Sequence, residues 1–245
     1  ISADGESELM DLEIGPVKSP KIIIDSLNSY PIDLEILKII NTSFDDESSN
    51  SFVEYLKKCT RLKTLDLSGC TFTDSQLASV LSAFVSNEKV DHISLTLNQL
   101  EINGDRYAKI MPILVGQRYK FEELYLVDNG ISLSEPLIDD LGGFRNLNKL
   151  SLALNYNKRM SGIGRALTQF LQYYNLKSLD LSGDGMDSIV ADALANEAIP
   201  FISELNHNCD LEEINMFGNM LGDDGILALV KILHTNKKLT SVNCD

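Results

Sequence analysis

The chain has 245 residues, an apolar fraction of 44% and a formal net charge of −15. No run of eighteen apolar residues occurs, so the sequence predicts no membrane span, and the excess of carboxylates opposes nucleic acid, which binds clustered Lys and Arg. Such an acidic surface suits a basic protein partner, although it more often serves solubility alone.

The chain begins with a degenerate form of a pattern that recurs downstream. Leu9, Leu12 and Ile14 have the spacing apolar-x-x-apolar-x-apolar. We therefore expect residues 1–33 to form a degenerate N-terminal repeat or cap. Residues 34–245 are expected to form a single continuous domain, part of a longer protein.

From residue 34 one unit recurs roughly every 28 residues. Each unit matches L-x-x-L-x-L-x-x-N-x-L, which alternates as a half-buried strand does, and continues with apolar residues at helical spacing. The units begin at Leu34, Leu62, Val90, Phe121, Leu147, Leu176, Leu211 and Leu239. A strand and a helix at this period predict an α/β leucine-rich-repeat solenoid of the ribonuclease-inhibitor-like class. This is a horseshoe of about eight or nine repeats, with a parallel sheet on its concave side and helices on its convex side.

Each template position has a physical role. The leucines are expected to fill the core between strand and helix, and the ninth position should satisfy backbone groups where the chain leaves the strand. That position is occupied by Thr42, Cys70, Asn98, Asn129, Asn155, Asp184 and Asn219. Helices are predicted at residues 48–58 and 74–85, and Asp74 and Asp223 are predicted as helix N-caps.

Two units are longer than the others. Residues 101–119 are interrupted by Gly104 and Pro112, and residues 187–209 contain Pro200, which predicts a kink near Ala198. The longer insertion is either loop drift on the convex side or a docking feature, since insertions in repeats cluster on one face.

The sequence contains no pattern typical of catalysis or metal binding. His92, His207 and His234 lie in different repeats, and no phosphate-binding or nucleophile motif occurs. Cys59, Cys70, Cys209 and Cys244 are scattered, which favours reduced thiols and a cytoplasmic location. We predict a protein that is not an enzyme and needs no metal or cofactor.

Binding is expected on the concave side, where the residues between the strand leucines point. Most of these residues are small and polar, but two are aromatic, and aromatic side chains on a rigid sheet are typical binding anchors. The candidate partner-binding residues are Tyr125, Phe217, His92, Glu123, Lys149, Asp180 and Glu213.

Residues 147–157 and 218–242 resemble the leucine-rich-repeat domain of the CARMIL proteins. The resemblance implies a non-catalytic scaffold of the actin cytoskeleton at the cell cortex, with capping protein and myosin-I as partners. The capping-protein-binding and proline-rich segments of that family are absent here, so no functional residue is carried over.

Two alternatives stay open. The chain could regulate a small GTPase, because GTPase-activating proteins for Ran use the same repeat class. It could also be an innate-immune-type or effector binding module, although no adjoining nucleotide-binding motif is visible.

Overall fold

A computed structural model of the chain describes residues 10–30, 32–131, 135–155, 176–183 and 210–244. Strands and helices alternate over residues 11–151 and 213–243, as predicted for an α/β repeat protein. The strands are β1 (Asp11–Ile14), β2 (Ile36–Ile39), β3 (Thr64–Asp66), β4 (Ile93–Thr96), β5 (Phe121–Tyr125), β6 (Lys149–Ser151), β7 (Ser178–Asp180), β8 (Glu213–Asn215) and β9 (Ser241–Asn243). The described helices are α1 (Pro20–Ser29), α2 (Asp46–Lys58), α3 (Asp74–Val85), α4 (Gly104–Gly116), α5 (Glu135–Leu141) and α6 (Gly222–Thr235).

Several predictions fall outside the described residues. They concern the insertion at 187–209 with its kink near Ala198, the ninth-position residue Asp184, and His207 and Cys209. The boundary between a cap and the repeats at residue 33 also stays a prediction, although β1 pairs with β2 in the register that its leucine pattern implies.

The nine described strands form a single sheet whose spatial order equals their order in the chain. Every neighbouring pair is parallel. A parallel pair needs a crossover between its strands, which a helix commonly supplies. The result is a solenoid-like arrangement in which each unit contacts its neighbours.

One face of the sheet is buried under the helices. The central apolar residue of each strand stacks on that of the next strand, and this row joins the apolar side chains of α1 to α4 in one continuous core. Burying a leucine fully contributes about 1.5–3 kcal/mol, so the row is the main source of stability along the array. Its members are Leu12, Leu37, Leu65, Leu95, Leu124, Leu150, Leu179, Ile214 and Val242.

The register of β4 corrects the sequence prediction by two residues. Leu95 pairs with Leu65 on one side and with Leu124 on the other, so Leu95 and not Ile93 is the central core residue. The register shifts at Ile93 and Ser94, where the β4–β5 ladder is irregular.

The shift has a clear physical reason. Apolar residues alternate from Ile93 to Leu97, and an alternation of period two looks the same after a move of two residues. The observed register buries Leu97, Leu100 and Ile102 completely or nearly so. Leu100 therefore fills the ninth position, and Asn98 lies half-buried on the other face of the sheet.

The eighth position of the described repeats has a left-handed backbone, where the chain turns off the strand. The residues in this conformation are Asn41, Gly69, Gln99, Asp128, Leu154, Gly183 and Gly218, with φ between 50° and 70°. Gln99 falls in this set only in the register of the structure, which supports the correction independently.

The ninth position forms a ladder of buried hydrogen bonds. Asn129 Nδ2 donates to the Leu97 carbonyl at 2.7 Å, and Asn155 Nδ2 donates to the Leu126 carbonyl at 2.7 Å. Asn219 Nδ2 likewise donates to the Leu181 carbonyl at 2.9 Å. Each of these asparagines reaches the carbonyl of the preceding repeat, so the ladder joins successive turns of the chain.

Cysteine makes the equivalent bond in the third repeat. Cys70 Sγ donates to the Ile39 carbonyl at 3.0 Å. Burial raises the pKa of the Cys70 thiol to about 11, so the sulfur keeps the proton that this bond requires. Cys59 and Cys70 are both buried free thiols.

The predicted helices at 48–58 and 74–85 are present, but both predicted N-caps, Asp74 and Asp223, lie inside their helices. Thr73 and not Asp74 caps α3, in a capping box with Gln76. Helix α6 begins at Gly222, so Asp223 lies within its first turn. There a carboxylate still favours the helix dipole without being the cap.

Asp74 instead contacts the following helix. Its carboxylate accepts from Arg106 Nε at 2.8 Å and from Lys109 Nζ at 2.7 Å. Arg106 also donates to the carbonyl groups of Phe72 and Leu100. This cluster links two repeats where the ninth position holds Leu100, which cannot make the side-chain hydrogen bond of the ladder.

Pro112 does not interrupt the helix after β4, contrary to the prediction. Helix α4 runs through Pro112 without a break in the described residues. Ile110, Met111 and Leu114 are buried in the core on either side of it. A proline removes one backbone donor and strains one turn, and the packing of these three side chains outweighs that cost.

Candidate protein-binding face

The face of the sheet opposite the helices is open to solvent and is called the open face below. Its side chains alternate with the core row along each strand. Most are exposed or half-buried, and Ser151 is the buried member. The open face comprises Asp11, Glu13, Ile36, Lys38, Thr64, Asp66, Ser94, Thr96, Glu123, Tyr125, Lys149, Ser151, Ser178, Asp180, Glu213, Asn215, Ser241 and Asn243, continued by Phe217 after β8.

Three of the predicted binding residues meet in one network near the middle of this face. Glu123 Oε1 lies 2.9 Å from Lys149 Nζ. Glu123 Oε2 accepts from Ser94 Oγ at 3.0 Å and from the Tyr125 hydroxyl at 3.2 Å. The network holds the half-buried Tyr125 ring in one orientation, which lowers the entropy that a partner must remove on binding.

Asp180 and Glu213 accept hydrogen bonds from neighbouring serines. Asp180 accepts from Ser151 Oγ at 3.1 Å and from the Ser182 backbone at 3.0 Å, and Glu213 accepts from Ser178 Oγ at 3.3 Å. The two carboxylates lie on neighbouring strands, β7 and β8, and belong to one acidic side of the open face.

Phe217 is exposed as predicted, with 54% of its surface accessible. The sequence analysis did not single out Leu154 and Met220, which are also exposed, at 54% and 73%. Each occupies a variable position of the template, where an apolar residue is not needed for the core. An apolar residue at such a position was the signal from which its exposure could have been predicted.

His92 is exposed and precedes strand β4, whereas the sequence analysis placed it on the strand. Strand β4 begins at Ile93, one residue later, because the register is shifted. His92 lies at the N-terminal edge of the sheet, where its Nδ1 is 3.0 Å from Glu122 Oε1. Its role as a binding residue stays a prediction.

Within the described ranges, no three His, Cys, Asp or Glu side chains come together as a metal site would require. Two acidic side chains have structural contacts: Asp45 caps α2 through Ser48, and Asp140 accepts from the Tyr107 hydroxyl at 2.7 Å. The described helices include none long and apolar enough to cross a membrane.

A comparison with protein families gives the class. Residues 61–83 match the family model described as Leucine Rich Repeat. Together with the parallel sheet, this match supports a leucine-rich repeat protein, a class whose domains typically bind other proteins without catalysis.

A comparison with individual proteins gives a relative. The chain is 25% identical over 244 residues to the Rho GTPase-activating protein gacW of Dictyostelium discoideum, an alignment that covers 85% of this chain and 21% of the relative. The chain thus spans a small part of that protein's length.

The Glu123 network predicts a pH-dependent stability. Burial raises the pKa of the Glu123 carboxyl group, but the hydrogen bonds from Lys149 and Ser94 and the charge of Lys149 outweigh it and hold the pKa below its ordinary value of 4.5. A lowered pKa gives stability that is present above pH 4.5 and lost as the pH falls through the folded-state value. Glu123→Gln should therefore be less stable than the wild type at pH 7, and the gap should close below pH 4.5.

Urea denaturation followed by circular dichroism at several pH values between 3 and 7 measures this gap. Glu88→Gln, at an exposed carboxylate outside the open face, is the matched control and should follow the wild type throughout. A Glu123→Gln variant as stable as the wild type at pH 7 would show that the network contributes nothing to folding.

Proposed function

We propose that this chain is a non-catalytic protein-binding module that serves the regulation of a small GTPase of the Rho type. The open face is the observation that supports the protein-binding part of this proposal. The described helices lie on the other side of the sheet, and the open side is a continuous surface of nine strands with Tyr125 held in place at its middle. The similarity to gacW supports the GTPase context.

The proposal includes a curved, ribonuclease-inhibitor-like horseshoe of about eight or nine repeats with the open face on its concave side. Neighbouring strands in a sheet lie about 4.8 Å apart, whereas packed helices need about 8–10 Å. Helices α1 to α4 each contact the next. Stacking wide helices behind narrow strands bends the array toward the strands, and a concave sheet lets many strands contact one partner.

The actin-scaffold hypothesis has less support. It depends on the resemblance of residues 147–157 and 218–242 to the CARMIL repeats, and the described part of 147–157 ends at Asn155. Capping protein and myosin-I are therefore the second class of partner to test. A cytoplasmic location stays a prediction in both cases.

The test is a binding assay by biolayer interferometry with a panel of Rho-family GTPases, each loaded with GDP or with a non-hydrolysable GTP analogue. We expect at least one GTPase to bind, and Thr96→Arg to weaken it by about tenfold or more, equal to 1.4 kcal/mol. Thr96 lies between Asp66 and Tyr125 on the open face, so the long side chain obstructs the face without disturbing the core.

Ser79→Arg is the matched control, because it makes the same charge change at an exposed position on α3. It should leave binding unchanged, and the chain alone should not accelerate GTP hydrolysis. If capping protein or myosin-I binds and no GTPase does at micromolar concentrations, the GTPase context is wrong and the actin-scaffold hypothesis replaces it.

A further inference from the structure

Two large apolar side chains lie exposed at the C-terminal edge of the open face. Leu154 follows β6 and Phe217 follows β8, and each exposes 54% of its surface. The strand between them, β7, is followed by Ser182 and Gly183. Most of the open face is polar, so this apolar pair distinguishes one corner from the rest.

Leu154 has a backbone conformation that leucine disfavours. It occupies the eighth position with φ 57°, where the next two repeats have Gly183 and Gly218 at φ 68° and 70°. For an L-residue the left-handed conformation costs roughly 1–2 kcal/mol. An exposed leucine gains little burial in return, and residues kept in costly conformations cluster at functional sites.

The backbone between the two side chains is covered in part by Leu154 itself. The Leu154 N–H donates to the Ser182 carbonyl and the Gly183 N–H donates to the Phe217 carbonyl, both at 2.8 Å, so the three turns lie side by side. Leu154 leans over Gly183, where a Cβ atom would lie 2.5 Å from Leu154 Cδ2. Leu154 and Phe217 lie two strand spacings apart, about 9–10 Å, and form the walls of a shallow notch.

Two carboxylates flank the notch. Asp128 adjoins Leu154, since its N–H donates to the Ala153 carbonyl at 2.9 Å. Asp180 lies two residues before Ser182 and is diagonal to Phe217 across the β7–β8 pair. Among the described residues neither carboxylate has a Lys or Arg partner, whereas Glu123 is paired with Lys149. The local charge is therefore negative.

We infer that this notch, between Leu154 and Phe217, receives one aliphatic or aromatic side chain from a basic segment of a partner protein. The apolar side chain lies against Leu154 and Phe217, and flanking Lys or Arg residues pair with Asp128 and Asp180. This inference rests on the proposed function and specifies the chemistry of the partner segment that the open face recognises.

The probe is a fluorescein-labelled peptide, Gly-Lys-Arg-Leu-Lys-Arg-Gly, compared with the same peptide carrying Ala at its centre. Fluorescence anisotropy measures both dissociation constants. The Leu peptide should bind about five- to tenfold more tightly than the Ala peptide, the difference expected for burying the larger side chain. Leu154→Gly and Phe217→Ala should bring this ratio close to one.

The control variants separate the contribution of the notch to binding from the contributions of charge and of folding. Leu154→Gly should fold at least as well as the wild type, because glycine accepts a positive φ. Asp128→Asn combined with Asp180→Asn should weaken both peptides equally, leave the ratio intact and reduce the salt dependence. Tyr119→Ala, at an exposed aromatic residue outside the open face, should change nothing.

A wild-type ratio near one, or a ratio that both notch variants leave intact, would overturn the inference. So would sedimentation showing that the chain dimerises through Phe217 without binding either peptide, since the notch would then receive a second copy. If a GTPase binds and Thr96→Arg blocks it while the notch variants do not, the notch is wrong and the proposed function stands. If the peptides bind as expected and no GTPase does, the GTPase context fails and the notch stands.

Discussion

Leu97→Ala should lower the free energy of unfolding by about 2–5 kcal/mol, the usual cost of truncating a fully buried leucine. Leu97 has no exposed surface. Its N–H donates to the Tyr125 carbonyl at 2.9 Å, and it lies between Leu67 and Leu126, which are buried two residues after the central leucines of their strands. Alanine would leave a cavity whose walls are fixed by the repeats on both sides.

Guanidinium denaturation followed by circular dichroism measures the loss, and Thr96→Ala is the control. Thr96 is the neighbouring residue and is half-buried on the open face, so its truncation should cost under about 1 kcal/mol. The pair discriminates between two registers of β4. In the register that the sequence predicted, Leu97 occupies the solvent-facing eighth position, and a loss below about 1 kcal/mol for Leu97→Ala would favour that register.

The regular spacing of the leucines made the repeats predictable. A residue such as Leu65 or Leu124 is buried because of its place in a pattern, and the same pattern recurs in every repeat, so an error in one unit is corrected by the others. Helix α3 was predicted with its bounds for the same reason.

The register of β4 could not be predicted from the same pattern. Residues 93–102 have apolar side chains at nearly every second position, so two registers bury a similar number of them locally. Pairing with β3 and β5 decides between them, and that information lies in the neighbouring repeats. The misplacement of His92 and Asn98 follows from this single ambiguity.

The candidate site was predicted in part. Tyr125 and Phe217 were found because the strand alternation alone sets which residues leave the core. Leu154 was missed because its exposure depends on the left-handed turn after β6, which the leucine spacing does not reveal. The N-cap of α3 was also missed, but it could have been predicted, because the Thr73-x-x-Gln76 spacing of a capping box was visible in the sequence.

The hydrogen-bond ladder of the ninth position gives the second large effect. Asn129→Ala should destabilise the fold by about 3 kcal/mol or more. Asn129 Oδ1 accepts from the Leu100 N–H at 2.8 Å and from the Ile102 N–H at 3.2 Å, and Nδ2 donates to the Leu97 carbonyl at 2.7 Å. Asn129 is 1% exposed, so alanine would leave three buried backbone groups without these partners. Each such group costs about 1–3 kcal/mol.

Urea denaturation of Asn129→Ala and of Asn98→Ala makes the comparison, because both changes remove the same side chain after neighbouring strands, β5 and β4. Asn98 is half-buried and its Oδ1 accepts one bond, from the Val127 N–H at 2.9 Å, so its loss should cost about 1 kcal/mol. Equal losses for the two variants would mean that the ladder does not join the repeats. A far larger loss at Asn129 would show that the repeat before it is held by side-chain hydrogen bonds as well as by its leucines. Among the described repeats, Leu100 leaves the ninth position without a polar side chain, and Arg106 reaches the Phe72 and Leu100 carbonyl groups there instead.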